Sequence, residues 1–189
     1  NKWNKDYPKT QNKILLTLPG RVTRWKGQID FLHIIALLSK EYPNIHGLIV
    51  GDVAVNKIGF LKELKDKVIK LNIENNISFI GHRSDLKEIM SMSKIVFSLS
   101  NEPEAFGRTT IESLKIGVPV IGYGHGGVGE QLRKVFSEGI IKKNDIPAAV
   151  NLCKDWIKKT PKVKKTDLFN LETMQSNTLK IYRTVLKKR

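Results

Sequence analysis

Short, continuously apolar runs alternate along the chain with longer stretches in which apolar residues recur at helical spacing. We predict strands at six of these runs, namely residues 14–18, 47–50, 77–80, 95–99, 118–122 and 139–141. Because the runs do not alternate with polar residues, they are typical of strands covered on both faces. The pattern predicts an α/β fold: a doubly wound, Rossmann-like parallel sheet of about six strands with helices on both faces.

The stretches between the runs predict helices. They cover residues 28–42, 85–93 and 109–117, and a last helix spans about 170–188. The helix after the second strand has one apolar stripe, formed by Leu61, Leu64, Val68 and Leu71. Ser84 or Asp85 is the expected N-cap of the helix at 85–93. Past Pro147 we expect only helices.

The chain is predicted to form one domain at 1–166, followed by a helical segment at 167–189. The lysine-rich stretch "KKTPKVKKTD" is typical of a solvated linker before the last helix. The chain begins at Asn1 with neither an initiating Met nor an apolar leader, so we expect it to be part of a longer protein. Residues 1–12 are interpreted as a remnant of an interdomain linker.

The cysteine, histidine and charge content of the chain limits which kinds of site and ligand we expect. The single cysteine, Cys153, excludes an intrachain disulfide and is expected to be an inert core residue. The four histidines lack metal-ligand spacing, so no metal site is predicted. The net charge of +15 has three interpretations: a general compositional bias, an anionic membrane surface, or nucleic acid. Since lysines occur in every predicted helix and no aromatic-interleaved basic motif is present, we rank them in that order.

Five glycine-bearing loops follow the predicted strands. In chain order they are "PGR", "GD", "GHR", "SNEPEAFG" and "GYGHGG". Ligands of doubly wound sheets bind outside the carboxyl ends of the strands, which is where these loops are expected. Turn chemistry alone does not explain five such loops at one edge, so we expect a binding site there.

The loop "GRVTRWKG" suggests a phosphate site. Gly20 allows a tight turn, and Arg21 and Lys26 flank the loop just before a helix start. Two cations beside helix-end amides suit a doubly charged phosphate group. A basic surface loop is the alternative.

The stretch "EAFGRTTIE" combines a second phosphate-binding feature with two carboxylates. Gly107 allows close backbone approach to a ligand, and Arg108, Thr109 and Thr110 add donors at a helix start. Glu104 and Glu112 suit sugar or ribose hydroxyls, because a carboxylate accepts hydrogen bonds from vicinal diols. We rank acid–base catalysis by this pair below hydroxyl binding.

The loop "GYGHGG" matches the dinucleotide fingerprint G-x-G-x-x-G in a poor context. It follows the fifth strand, and no acidic residue clearly ends the next one. We therefore do not predict nicotinamide or flavin binding. Its glycines still predict a backbone that passes close to a ligand.

Taken in order, these loops resemble the C-terminal, donor-binding domain of family 4 (group 1) retaining glycosyltransferases, which have the two-domain GT-B architecture. "GRVTRWKG" is similar to the family's G-R-x4-K-G loop and "EAFGRTTIE" to its E-x7-E motif. "GVPVIGYGHGGVGE" is similar to its G-x-P-V segment and Gly-Gly-x-x-Glu turn. The resemblance extends from about residue 12 to the last helix.

The resemblance implies a role for each of these residues. Arg21 and Lys26, after Gly20, would hold the diphosphate of a UDP-, GDP- or ADP-sugar, and Glu104 would bind hydroxyls of the donor sugar; these three would be the catalytic residues. The remaining donor-binding residues would be Phe106 and Gly107 at the sugar, Arg108, Thr109 and Thr110 at the phosphates, Glu112 at the ribose, and His82 and Arg83 near the base. Neither a metal nor another cofactor is expected, because the family is typically metal-independent.

The resemblance also implies the limits of this chain. The acceptor site of the family lies in an N-terminal domain, so this chain would hold half an active site and be inactive alone. The final helix would reach that domain, which should leave Leu179, Tyr182 or Leu186 exposed here. Where the family has a small polar residue, near Tyr123 or Gly124, this sequence has "GYGHGG", and His125 has no assigned role.

The leading hypothesis is therefore the donor half of a transferase that builds a bacterial cell-surface glycan or glycolipid, such as lipopolysaccharide. It would work in the cytoplasm, peripherally on the inner face of the membrane. Two alternatives stay open: a nucleotide-sugar epimerase, against which the E-x7-E spacing argues, and a non-catalytic nucleotide- or nucleic-acid-binding module.

Overall fold

The computed structural model describes residues 2–53 and 58–186. Its strands are β1 Ile14–Pro19, β2 Ile45–Val50, β3 Ile77–Gly81, β4 Ile95–Ser98, β5 Val120–Tyr123 and β6 Ile140–Ile141. Its α-helices are α1 Lys2–Asp6, α2 Gln28–Ser39, α3 Ile58–Lys70, α4 Leu86–Ser91, α5 Arg108–Lys115, α6 Gly126–Val135, α7 Ile146–Lys158 and α8 Leu171–Leu186. Short 3-10 helices cover Pro8–Thr10 and Ser137–Gly139.

The six strands form one parallel sheet in the order β3-β2-β1-β4-β5-β6. The helices α2, α3 and α7 pack together on one face, and α4, α5 and α6 pack on the other. This confirms the predicted doubly wound α/β fold. The strand order reverses between β1 and β4, so their carboxyl ends diverge into a crevice where such sheets bind ligands.

The core explains the continuous apolar runs. Every residue of β2 is buried, as expected for a strand covered on both faces. Phe31 of α2 and Phe97 of β4 are fully buried, with ring centroids 5.2 Å apart. Cys153 is buried in the same core, and burial raises the pKa of its thiol. The prediction of a core cysteine is therefore confirmed.

Several predicted boundaries were wrong by a few residues. The strand predicted at 118–122 begins at Val120, after Pro119, which has no N–H to give to the sheet. In α3 the buried stripe is Phe60, Leu64 and Val68, spaced four residues apart. Leu61 and Leu71, which we placed on that stripe, are only partly buried. Part of the segment before α3, residues 54–57, lies outside the described residues.

The segment at 2–12 contains ordered structure that the sequence did not predict. Trp3 and Tyr7 pack against a second apolar cluster at the sheet, formed by Leu15, Leu48, Val50, Ile80 and Ile89. Trp3 Nε1 also donates a hydrogen bond to Thr10 Oγ1 at 2.9 Å. The segment is thus docked on this domain, and its role as an interdomain linker stays a prediction.

The last helix, α8, has no buried residue. As expected, Leu179, Tyr182 and Leu186 are exposed, by 53%, 63% and 69%. A cavity of about 810 Å³ separates α8 from α5 and α6. That α8 reaches another domain stays a prediction, and residues 187–189 lie outside the described residues. Over residues 2–53 and 58–186, the structure has no helix with the length and apolarity to cross a membrane.

Candidate functional site

A pocket of about 690 Å³ opens at the carboxyl ends of β1 and β4, beside the start of α5. This volume is typical of ligand-binding pockets. Two loops supply most of its wall, joined by Leu86 of α4. The lining residues are Pro19 at the end of β1, then Gly20, Arg21, Trp25 and Lys26 from the first loop, and Pro103, Glu104, Ala105, Phe106, Gly107, Arg108, Thr109 and Glu112 from the second loop and α5.

Lys26 and Glu104 form an ion pair inside this pocket. Lys26 Nζ lies 2.8 Å from Glu104 Oε1, and the two side chains are 17% and 16% exposed. The ammonium also lies 4.4 Å from the centroid of the Trp25 ring. Ser100 Oγ donates a hydrogen bond to the same carboxylate oxygen. The fold thus brings together a cation and a carboxylate that the sequence places in separate motifs.

Arg21 lies at the same pocket with an exposed side chain, and it makes no ion pair within the part of the chain that the structure describes. Its backbone carbonyl accepts a hydrogen bond from Gln28 Nε2 at 3.0 Å. Gly20 has a φ of +143°, a conformation that favours glycine. The predicted tight turn therefore exists, and it carries a cation toward the mouth of the pocket.

The start of α5 forms another wall. Gly107 is its N-cap, with a φ of +79° and no side-chain cap, so the first-turn amides have no capping side chain. A Cβ at Gly107 would lie 2.7 Å from Val128 Cγ2. Thr109 lines the pocket, whereas Thr110 is fully buried and lies outside it. Uncapped amides at a helix start suit an anion.

Glu112 has a partner that the sequence analysis did not foresee. Arg108 Nη2 lies 3.3 Å from Glu112 Oε1, one helical turn away. The two side chains are 83% and 41% exposed, so the pair is weak and open to exchange with a ligand. Both residues line the pocket, as predicted, but the carboxylate is not free.

His82 and Arg83 follow β3, which is separated from β1 by β2, and neither lines the pocket. His82 is exposed. Arg83 donates two hydrogen bonds to Asp85, from Nε at 2.7 Å and from Nη2 at 2.6 Å, and the Asp85 carboxylate raises the pKa of Arg83. This explains why Asp85 provides no side-chain cap for α4.

The loop "GYGHGG" packs closely against protein backbone at Gly126 and Gly127. That it also passes close to a ligand stays a prediction. A Cβ at Gly126 would lie 2.7 Å from Glu104 O, and one at Gly127 would lie 2.5 Å from Phe106 O. The motif therefore packs against the loop that carries Glu104. This contact follows from the order of the strands in the sheet and is not encoded in the motif itself.

Three residues near the site were missed by sequence reasoning: Trp25, Ser100 and His125. Trp25 and Ser100 lie in loops whose other members were identified, so proximity in sequence was the available signal. His125 Nε2 donates a hydrogen bond to the carbonyl oxygen of Ser100 at 2.7 Å. This hydrogen bond joins the loop after β5 to the loop after β4, and no local sequence signal indicates it.

The fold and the pocket define a doubly wound domain whose crevice, at the point where the strand order reverses, is lined by Arg21, Lys26 and an uncapped helix start. Comparison with known proteins agrees: the model of the family "Glycosyl transferases group 1" matches residues 1–167. The chain therefore belongs to this family.

Similar proteins include the lipopolysaccharide core biosynthesis mannosyltransferase LpsB of Rhizobium meliloti, which is 25% identical over 76% of this chain and 41% of its own length. A glycosyltransferase of Rickettsia africae has a similar structure, with a TM-score of 0.84 and 27% identity over 100% of this chain and 52% of that one. Anabaena HepE, solved with UDP and glucose, gives a TM-score of 0.76 with 25% identity over 84% of this chain and 42% of that one.

The chain spans about a sixth to two fifths of the length of the curated relatives that it matches. In contrast, it covers 83% of a solved C-terminal domain of a group 1 glycosyl transferase from Francisella tularensis, at 21% identity and a TM-score of 0.67. That likeness concerns the fold alone.

Proposed function

We propose that this chain is the donor-binding half of a retaining glycosyltransferase, which transfers a sugar from a nucleoside-diphosphate sugar to a glycan or glycolipid. The observation that carries the proposal is the pairing of Lys26 with Glu104 in the pocket between β1 and β4. A cation for a diphosphate and a carboxylate for sugar hydroxyls lie side by side there. Solved HepE structures with UDP and with UDP-glucose support the donor class.

The proposed roles follow from charge and position. Arg21 and Lys26 bind the diphosphate together with the uncapped amides at the start of α5. Glu104 accepts hydrogen bonds from hydroxyls of the donor sugar, and Glu112 accepts them from the ribose. When the donor enters, Lys26 shares its charge between Glu104 and the phosphate oxygens.

The cations that bind the diphosphate also stabilise it as the leaving group. As the bond between the anomeric carbon and the phosphate oxygen breaks, negative charge grows on the leaving diphosphate. Arg21 and Lys26 stabilise that charge electrostatically, which is the task that a metal performs in other transferases. We therefore propose that no divalent ion is required.

The acceptor is proposed to bind through another domain of a longer protein, so this chain alone binds the donor without transferring it. A bacterial surface polysaccharide or lipopolysaccharide is the proposed product, supported by relatives such as LpsB. Such a reaction would occur in the cytoplasm, at the inner membrane face, where anionic lipids attract basic proteins.

Nucleic-acid binding is not favoured. Exposed cations lie on helices of both faces of the sheet, among them Lys62 and Lys65 of α3 and Lys115 and Arg133 of α5 and α6. A nucleic-acid site would concentrate them in one patch or stripe.

Calorimetric titration with UDP-, GDP- and ADP-sugars, with magnesium and with a chelator, tests the proposal. We expect one nucleotide class to bind with an affinity that the chelator does not change. Arg21→Ala should weaken that binding about tenfold or more, in line with loss of a charged hydrogen bond. Arg24→Ala is the matched control, since Arg24 lies in the same loop but pairs with Glu63 outside the pocket. No binding of any nucleotide, a strict need for a divalent ion, or transfer by this chain alone would contradict the proposal.

A further inference from the structure

We propose that His125 is a positioning residue, which holds the loop of Glu104 in the shape needed to grip the sugar part of the donor. This inference rests on the proposed function. His125 lies outside the pocket lining, so it acts through other residues and not on the ligand itself.

Three carbonyl groups of one loop accept hydrogen bonds from α6 and from His125, the residue just before it. The carbonyl of Ser100 accepts from His125 Nε2 at 2.7 Å, that of Glu104 from the amide of Gly127 at 2.7 Å, and that of Phe106 from Gln131 Nε2. The loop between β4 and α5 is thus fixed at its start, middle and end. We call these three hydrogen bonds the Glu104 clamp.

Two of the three contacts leave little room for change. Gly127 lies so close to Phe106 that any side chain there would collide with its carbonyl. Gln131 is completely buried. His125 differs, because its imidazole is only partly buried and reaches the start of the loop. It is the member of the clamp whose side chain can be changed without filling a close backbone contact.

The His125 hydrogen bond is linked to the Glu104 carboxylate through Ser100. Ser100 accepts from His125 through its carbonyl, and its hydroxyl donates to Glu104 Oε1. A change in the position of Ser100 therefore changes the hydrogen bond that orients Glu104. Because a carbonyl can only accept, Nε2 must carry the proton in this bond.

The imidazole is itself held in place. Its ring lies edge-on to the Tyr123 ring, with centroids 6.1 Å apart. The Tyr123 hydroxyl donates to Asp30 Oδ2 at 2.6 Å, in the first turn of α2. The helix α2 follows the loop of Lys26, and Lys26 pairs with Glu104. The chain of contacts therefore begins and ends at Glu104.

Loss of the His125 bond should affect the sugar more than the nucleotide. Arg21 and Lys26, the proposed cationic ligands of the diphosphate, lie in a different loop, whereas Glu104 is the proposed sugar ligand. The affinity gained by adding the sugar is the ratio of the Kd of the nucleoside diphosphate to the Kd of the nucleotide-sugar. This ratio reports on Glu104 separately from general damage to the fold.

The experiment measures that ratio by calorimetry with UDP and UDP-glucose and with GDP and GDP-mannose, using the pair that the wild-type chain binds with the larger ratio. His125→Ala should lower the ratio roughly three- to tenfold, the range for one hydrogen bond, and leave the nucleoside diphosphate affinity nearly unchanged. His125→Gln should restore most of the ratio, because its amide nitrogen reaches the position of Nε2. His125→Asn should not, because its side chain is shorter. His33→Ala, in α2 and outside the clamp, should change nothing.

Hydrogen exchange of residues 100–106 is measured on the same variants without ligand. Faster exchange in His125→Ala than in His125→Gln supports the clamp. An unchanged ratio, an equal loss for both ligands, or unchanged exchange would overturn the inference. A wild-type chain that binds no nucleotide would contradict the proposed function, and exchange alone would then decide whether His125 holds the loop.

Discussion

Replacing Lys26 with alanine removes an ammonium that lies 2.8 Å from Glu104 Oε1 within the pocket. At that distance, and with an effective dielectric constant of about 20, the attraction of Lys26 for a unit negative charge is about 6 kcal/mol. Most of it is offset when the charges lose water, and a hydrogen bond to a charged group contributes about 1.5–3 kcal/mol net. We expect Lys26→Ala to raise the Kd for the nucleoside diphosphate by roughly 10- to 150-fold.

Calorimetry at constant ionic strength measures this effect. Lys154→Ala is the matched control, because Lys154 is also partly buried, at 28% exposed, and pairs with Glu41 far from the pocket. It should leave the Kd within about twofold of wild type, as expected for a distant, independent site. If Lys26→Ala bound the nucleotide as tightly as Lys154→Ala, the assignment of Lys26 to the diphosphate would be wrong.

Four further predictions concern Glu112, Gly127, His46 and the helix α8. Glu112→Gln should weaken the binding of a ribonucleotide severalfold but not the binding of its 2′,3′-dideoxy analogue, because a carboxylate accepts hydrogen bonds from both ribose hydroxyls better than an amide does. Calorimetry with both ligands measures the difference. In thermal denaturation, Gly127→Ala should lower the melting temperature by several degrees, since its Cβ would lie 2.5 Å from Phe106 O. Burial lowers the pKa of His46 to about 4. Between about pH 6.5 and pH 4 the unfolded chain therefore binds more protons than the folded chain. The free energy of unfolding, measured in urea, should fall as the pH drops through this window. Amides of 175–186 should exchange faster than those of the central strands, because α8 buries no residue.

Each of these has a control or a contrary outcome. Equal losses for both nucleotides would leave Glu112 as a surface partner of Arg108. Gly59→Ala, a helical position with open space around it, should not destabilise the chain. His46→Gln should flatten the fall in stability between about pH 6.5 and pH 4; an unchanged slope would rule out His46 as its source. If α8 amides were as protected as the strands in a dilute monomer, α8 would belong to the core of this domain.

The class of fold and the edge of the sheet that carries the site are both encoded by local sequence patterns. Continuous apolar runs alternating with amphipathic stretches are compatible with parallel strands joined by helical crossovers, and crossovers bring the carboxyl ends of all strands to one edge. These patterns are therefore sufficient to assign the loops of Arg21 and of Glu104 to that edge. Each signal depends only on residues within one strand, one helix or one turn.

Which loops meet at that edge depends on the tertiary structure. The same alternation of elements is compatible with other strand orders, and the observed order makes β1 and β4 neighbours, which brings Lys26 to Glu104. It also sets "GYGHGG" against the Glu104 loop, where its glycines admit backbone and His125 contacts Ser100. The packing of Trp3 and Tyr7 onto the sheet has the same origin. Such contacts join residues far apart in the chain, and their energies depend on how whole elements pack, which no local pattern records.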